Sequence, residues 1–413
     1  MEFSEILKLE WRFLTFGFLM SFWSAFGQTF FISIFSKQIR GDLILSHGEF
    51  GSFYAVATLL SAFVLYWCGK LTDIIQIGFL SKVTLIGVCC SALLFASVHS
   101  LFILGVSLFA LRLSGQGMMY MVYSTAITRR YTAIRGRALA IAGLGQNMGE
   151  AFFPIFVIFC LALVDWRFIW VGLAIFAVIT FLPAIDKLTN ICSREEKLKF
   201  LKNSLGNSEH QHNILLRRAD AMKDWVFWVV VVWLTMIPAF WITGLLFHQI
   251  FISELKNVSL LTWMSNYVWY ALAALVGAFV SGVLVDRFTA HSMAVVTQLP
   301  LLISTIFLWF GDSRLTLVLF FIFFGLCSGM LQPMINSLLA ERYGTRWLGE
   351  IKSLAMPLNV LASAVSPILM GLMIDAGSGL DDLMLILAAT SIYSICITLL
   401  VFNLIGNISP KKR

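Results

Sequence analysis

Arg129-Arg130-Tyr131-Thr132-Ala133-Ile134-Arg135-Gly136-Arg137 joins two long apolar runs, Leu101 to Ile127 and Ala138 to Val164, and this stretch decides the fold. Each run exceeds the ~20 residues that carry a helix across a bilayer core. Four arginines in so short a connection place it on the cytoplasmic side. Each run also holds one full charge deep inside it, Arg112 in the first and Glu150 in the second. A charge at that depth costs ~2.5–3.5 kcal/mol even on the lenient insertion scale, so it is kept for a function or a partner. By helical rise, Arg112 lies ~17 Å below the outer end of its run and Glu150 ~20 Å above the inner end of the other. Helices joined by a short loop are antiparallel neighbours. The spacing therefore predicts that the two charges approach each other, directly or through Gln116 or Asn147.

Around these charges the runs are patterned. Arg112, Gln116, Tyr120 and Tyr123 fall on one helical face, and Gln146, Asn147 and Glu150 on another. Beside the second face runs a stripe of small residues, Ala138, Ala142, Gly145 and Gly149. Small residues let another backbone approach closely in a membrane.

The rest of the chain agrees. Of its 413 residues, 59% are hydrophobic and only 12% charged. A soluble domain carries about 25% charged residues. The reading is an all-α integral membrane protein. The net charge of +7 does not point to nucleic acid, because the basic residues cluster in particular loops. Six of the seven cysteines lie in apolar runs and Cys192 in a polar loop, without metal-ligand spacing or a disulfide framework. No metal and no cofactor are expected. The start, Met1-Glu2-Phe3-Ser4-Glu5, lacks the basic region of a signal peptide, so the first run is read as a retained span.

Twelve spans are expected, at about 13–36, 50–68, 79–97, 101–127, 138–164, 166–185, 225–250, 261–285, 292–311, 315–340, 351–374 and 383–405. Of the 29 Lys and Arg residues, 23 fall on the side of the N-terminus. Five (Lys37, Arg40, Arg167, Lys256, Arg314) fall on the other side, and Arg112 lies in the membrane. This asymmetry places both termini in the cytoplasm, in the plasma or inner membrane. The 186–224 loop is the one long break in hydrophobicity. It divides a first bundle, 1–185, from a second, 225–413. Ser193 and Glu196 have capping-box spacing, and Leu198, Leu201 and Leu205 share a face of a short interfacial helix in that loop.

The halves repeat. Gly69-Lys70-Leu71-Thr72-Asp73 follows the second span, and Gly282-Val283-Leu284-Val285-Asp286 follows the eighth, 213 residues later. At the same offset Gly136 meets Gly349 and Pro154 meets Pro367. A repeated six-span half is a common transporter design, with the substrate site near the midplane.

These residues resemble the major facilitator superfamily. Its Gly-x-Leu-x-Asp-Arg signature is intact as Gly282, Leu284, Asp286 and Arg287; in the first half Ile74 replaces the arginine. Arg112, Gly115 and Gly117 loosely match its fourth-helix pattern. Phe227-Trp228, His248, Arg135-Gly136-Arg137-Ala138 and Asp165-Trp166-Arg167 are similar to the monocarboxylate and oxalate–formate branch. Two departures stand beside these. The eighth span lacks the basic residue that branch often uses for a carboxylate, and Lys352 sits only at the inner end of the eleventh. Gly145 to Pro154 lacks the Gly-Pro pair of the drug antiporters, which weighs against drug export. The resemblance implies two six-helix bundles related by a pseudo-two-fold, and an inner gate latched by Gly69, Asp73, Gly282, Asp286 and Arg287.

Each candidate has two readings. Arg112 and Glu150 form a structural pair, or they serve the substrate and a coupling proton. His248 titrates near neutrality, or is a hydrogen-bonded structural residue. Asn266 and Tyr270 line a cavity together with Tyr267 and Trp269, or the aromatics belong to the interface belt. Gly17, Ser21, Ser24 and Gln28 share a face of the first span, as Asn359, Ser363 and Ser366 do in the eleventh. These stripes read as pore lining ahead of helix glue. With Gln116, Tyr120, Gln146 and Asn147, these residues are the candidate site. The functional expectation is a monomeric secondary transporter, a symporter that moves a small organic solute such as a monocarboxylate or other organic anion with protons. The alternatives are an efflux transporter for drugs or metabolites and a non-transporting membrane sensor. An enzyme is not expected, because no HExxH, paired-aspartate or phosphate-loop motif is present.

Overall fold

A computed structural model describes residues 3–68, 71–131, 135–189, 218–288, 290–344 and 348–408. The regular elements among them are all helices. Eleven of these are long and apolar enough to cross a membrane, from His47–Leu65 to Leu380–Asn403. The capping box and leucine face expected in the 186–224 loop lie outside the described residues.

The remaining span, the first, is not one helix. The helix Phe3–Trp23 passes into a 3-10 turn, Ser24–Gly27. Gln28 is then extended (φ −84°, ψ 149°), and a short helix resumes at Thr29–Ser33. The break has a tertiary cause. A Cβ on Gly27 would lie 2.4 Å from the Gln116 nitrogen and 2.4 Å from the Leu111 oxygen, so the fourth span presses its backbone into this point. The fourth span is itself irregular there. Between the helices Leu101–Leu111 and Tyr120–Arg130 it winds as a π-helix, Arg112–Met119. Single π turns inside a helix are uncommon and concentrate at functional sites.

Two compact units make up the chain. One comprises Met1–Leu45 and Phe53–His210, the other Ser46–Ser52 and Gln211–Arg413. Each packs its helices by one scheme. In the first unit, Phe3–Trp23 lies along Arg135–Leu161, and Ile77–Ala96 lies along Trp166–Thr189. In the second, Val232–Phe247 lies along Leu348–Asp375, and Leu299–Phe310 touches Leu380–Ile408. First with fifth and third with sixth thus recur as seventh with eleventh and ninth with twelfth.

The small-residue stripe does what its composition predicts. A Cβ on Gly145 would sit 2.0 Å from the Phe18 oxygen, and one on Gly17 would sit 3.0 Å from the Ala142 Cβ. The second unit uses the same device, with Gly325 against the Tyr270 carbonyl and Gly329 against that of Ala274. Lipid tails are as apolar as the helices, so close van der Waals packing must supply the attraction.

At one end of each unit the repeat extends to side chains. In the first, Arg130 donates from Nε and Nη2 to the two carboxylate oxygens of Glu10 (2.8 and 3.1 Å), and the Tyr131 hydroxyl donates to Oε2 (2.9 Å). In the second, Arg342 grips Asp224 the same way (2.6 and 3.0 Å), and the Tyr343 hydroxyl donates to Oδ2 (2.7 Å). Each clamp ties the start of the unit's first span to the end of its fourth. Two-bonded arginine–carboxylate pairs are among the stronger polar contacts. Burial works against the charge of Arg130, but the Glu10 carboxylate outweighs it and holds the guanidinium above its ordinary value. Burial alone would raise Asp224. The hydrogen bonds from Arg342, Tyr343 and the Val226 N–H outweigh it, so the carboxyl sits below its ordinary range.

Two outcomes are expected. Gly145→Ala forces the first and fifth spans apart and costs ~1–3 kcal/mol as an overpacking substitution. Gly143→Ala, where a Cβ meets nothing within 4 Å, costs nothing and gains up to ~1 kcal/mol of helix propensity. Thermal unfolding of the two variants in detergent checks the contrast. For Asp224 the folded pKa is depressed, so its contribution is present above the unfolded value of ~3.9 and is lost as pH falls through the lower folded value. Wild type should therefore exceed Asp224→Asn in melting temperature at pH 6, and the gap should narrow below pH ~4.

Candidate functional site

Arg112 opens the π segment and is 3% exposed. Its Nε donates to the Thr58 hydroxyl (3.1 Å) and its Nη1 to the Gly27 carbonyl (3.0 Å). Its guanidinium carbon stands 5.0 Å from the centre of the Tyr54 ring, a cation–π contact. Tyr54 in turn shares a hydrogen bond with Thr29 (2.6 Å). Thr58 donates its own proton to the Tyr54 carbonyl (2.8 Å), which leaves its lone pairs for Arg112. Every piece of this cradle has a local reason. Tyr54 and Thr58 stand one turn apart on the second span. The Gly27 carbonyl has lost its helical donor at the break, because the Phe31 N–H turns to Gln28 instead. Among the described residues, Nη2 donates to no protein acceptor, and no carboxylate pairs with Arg112.

Glu150 is 8% exposed, and its partner is Gln146 on its own helix, Nε2 to Oε1 at 3.1 Å. The expected approach of the two charges does not occur. Arg112 and Glu150 are not an ion pair, and neither Gln116 nor Asn147 bridges them. The fourth span's π turn and the break in the first explain why. They give Arg112 a carbonyl, a hydroxyl and a ring on the first and second spans, on the side its depth alone does not reveal. A charge buried without its counter-ion is expensive, so the arrangement calls for a compensating partner.

The chain matches the sequence family described as Major Facilitator Superfamily over residues 14–367 and again over 239–410. The chain belongs to the major facilitator superfamily. No curated protein matches it. Its fold is similar to a bacterial homologue of the human lysosomal transporter Spinster, solved in an inward-facing, unoccupied conformation. The two share 13% identity over 94% of this chain and 95% of that one, with a TM-score of 0.66. The same homologue in its inward-facing, occupied conformation shares 15% identity over 99% and 97% of the two chains, with a TM-score of 0.64. These likenesses show the fold alone.

For this superfamily member the remaining candidates separate. Gln28 stands at the break in the first span, half-buried, and Gln116 lies in the π segment, also half-buried. Tyr120 is 49% exposed and packs edge-on against Tyr123. Asn147 and Asn359 are half-buried. In the second unit, His248 is buried, with Nε2 3.1 Å from the Pro367 carbonyl, at a bend between the helices Val232–Phe247 and Gln249–Leu255. The Asn266 side chain bonds the Thr262 carbonyl of its own turn (2.7 Å), and the Tyr270 hydroxyl donates to Ser328 (3.0 Å). Part of the pore-lining expectation is corrected. The Ser21 hydroxyl receives the Gln146 N–H, the Ser24 hydroxyl bonds its own helix at Ser21, and the Ser366 hydroxyl bonds the Phe240 carbonyl. All three are buried at these contacts.

Of the gating motif, Gly69 and the side chains of Asp73 and Asp286 lie outside the described residues. Gly282 and Arg287 are in the helix Tyr267–Phe288, with the Arg287 guanidinium 5.2 Å from the Phe288 ring centre. Asp165-Trp166-Arg167 has a structural use, since Arg167 and the Trp166 indole both reach Asp42 (2.7 and 3.4 Å).

Tyr54, Thr58, Thr29 and Gly27 were not among the sequence candidates. A signal was present, since Tyr54, Thr58 and Ser61 form a polar face at helical spacing on an otherwise apolar span. Because Arg112 and Glu150 share no hydrogen-bond partner, their stability effects should be independent. In a double-mutant cycle of Arg112→Gln and Glu150→Gln, followed by thermal unfolding, the effects should add to within ~0.5 kcal/mol.

Proposed function

We propose that the chain is a secondary active transporter that moves a small organic anion together with protons. Membership of the superfamily supports transport by alternating access of a solute across the membrane. The observation that carries the finer reading is the separation of the two buried charges. Among the described residues Arg112 has no carboxylate beside it at its depth, and a guanidinium there is suited to a carboxylate, which it can take in two parallel bonds. Among the described residues, Glu150 at its depth has no cation beside it. Intramembrane carboxylates of this kind serve as proton carriers in pumps and transporters. A monocarboxylate or a small dicarboxylate fits one guanidinium in an aromatic setting. The sequence likeness to the monocarboxylate and oxalate–formate branch points the same way.

In this reading the protein works as a monomer in the plasma or inner membrane, and both termini face the cytoplasm. The asymmetry of Lys and Arg along the chain supports that orientation. Asp73 and Asp286 act at the inner gate, each at a helix end where a carboxylate can face a helix N-terminus.

The test uses purified protein in liposomes with radiolabelled lactate and oxalate. An inward proton gradient should drive accumulation of at least one of them. Glu150→Gln should abolish uphill accumulation and leave exchange without a gradient. Arg112→Gln should depress both by roughly tenfold or more, the loss of a buried charged hydrogen bond. Gradient-driven uptake of a neutral sugar, unaffected by Arg112→Gln, would reject the anion reading.

A further inference from the structure

The Gly27 carbonyl has one hydrogen-bond donor among the described residues, and it is Arg112. In an unbroken helix this oxygen would accept the Phe31 N–H. Here both the Phe31 and Ile32 N–H groups point at the Gln28 oxygen. Gly27 is therefore the C-terminal end of the first half of a discontinuous helix, where the backbone dipoles leave negative charge. The guanidinium caps that end. The same group is the one that receives an anion in the transport reading, on which this inference rests.

A carboxylate that takes two parallel bonds sits either on the Nε–Nη2 edge, where it competes with Thr58 for the single Nε hydrogen, or on the Nη1–Nη2 edge, where it crowds the Gly27 carbonyl on a shared Nη1. The two acceptors are not equally held. Thr58 lies inside the continuous helix His47–Cys68, its hydroxyl fixed by the bond to the Tyr54 carbonyl. Gly27 lies at a break whose turn, Ser24–Gly27, is a single 3-10 winding followed by an extended residue. A negative carbonyl and a carboxylate on one guanidinium also repel each other. Gly27 is the acceptor that yields.

We propose that anion binding at Arg112 withdraws the guanidinium from the Gly27 carbonyl and loosens the break at Ser24–Thr29. The first span thereby reports occupancy of the site. Backbone contact passes the change on, because Gly27 and Gly115 meet without room for a Cβ on either and Gly115 belongs to the π segment that carries Arg112.

Hydrogen–deuterium exchange on the wild-type protein in lipid nanodiscs tests this, with and without lactate, oxalate and benzoate, alongside thermal shifts that register binding. With an anion that raises the melting temperature, amides of residues 28–32 should exchange roughly tenfold faster or more, the effect of one lost hydrogen bond from a charged donor. Amides of residues 104–111, in the regular part of the fourth span, should be unchanged. In Arg112→Gln the shorter side chain lacks Nη1 and loses the Gly27 bond with or without anion, so exchange at 28–32 should no longer respond to anion. A thermal shift in wild type with unchanged or slower exchange at 28–32 would overturn the inference and leave the anion site standing. No thermal shift with any of the three anions would remove both.

Discussion

A bilayer offers no water to a stray carbonyl, so a helix that breaks inside it must find a donor in the protein. The bond from Arg112 to Gly27 meets that demand, and much of the first unit is arranged to permit it. The guanidinium needs its own acceptors and a surface to lie on. Thr58 and Tyr54 supply them from the second span, and Thr29 steadies Tyr54 from the far side of the break. The fourth span bends its winding into a π turn at the residue that carries the charge. Removing Gly27 or Gly115 would separate the two irregular segments that make the contact. A charge that looks costly in isolation is thus part of what keeps the first span in its broken form. Its other three N–H groups, two on Nη2 and one on Nη1, meet no acceptor among the described residues.

The clamps at Glu10 and Asp224 solve a different problem by similar means. Loops at a membrane face are exposed to water, where single ion pairs contribute little. Here the pairs are two-bonded, shielded and backed by a tyrosine hydroxyl on the same oxygen that Arg Nε contacts. The tyrosine follows the arginine directly in the chain in both units. One helix end thereby delivers both donors, and only the acid has to be supplied from elsewhere.

Much of the fold was legible because membranes make the code simple. Apolar length marks a span, loop arginines mark a side, and a glycine–alanine stripe marks a contact. Gly145 against Phe18 is that last inference realised. The site was less legible. Depth along a helix placed Arg112 and Glu150 at matching heights, but height says nothing of rotation. A π turn changes which way every later side chain faces, and nothing in Arg112-Leu113-Ser114-Gly115-Gln116 announces one. The break at Gln28 was hidden for a related reason, since its cause is the backbone of another span. Ser21 and Ser366 look like cavity residues by pattern, yet hydroxyls in a membrane serve equally well to join helices.

The 213-residue repeat carries one more consequence. At that offset Arg112 answers to Gly325 and Glu150 to Ser363. The second copy holds, where the first has its cation, a residue with no side chain, seated against the Tyr270 carbonyl. The two units keep the same helix pairings and differ in chemistry at this depth. Where one unit gives a helix face to a guanidinium, the other has a point where two backbones touch, so whatever Arg112 does is done once per chain and not twice.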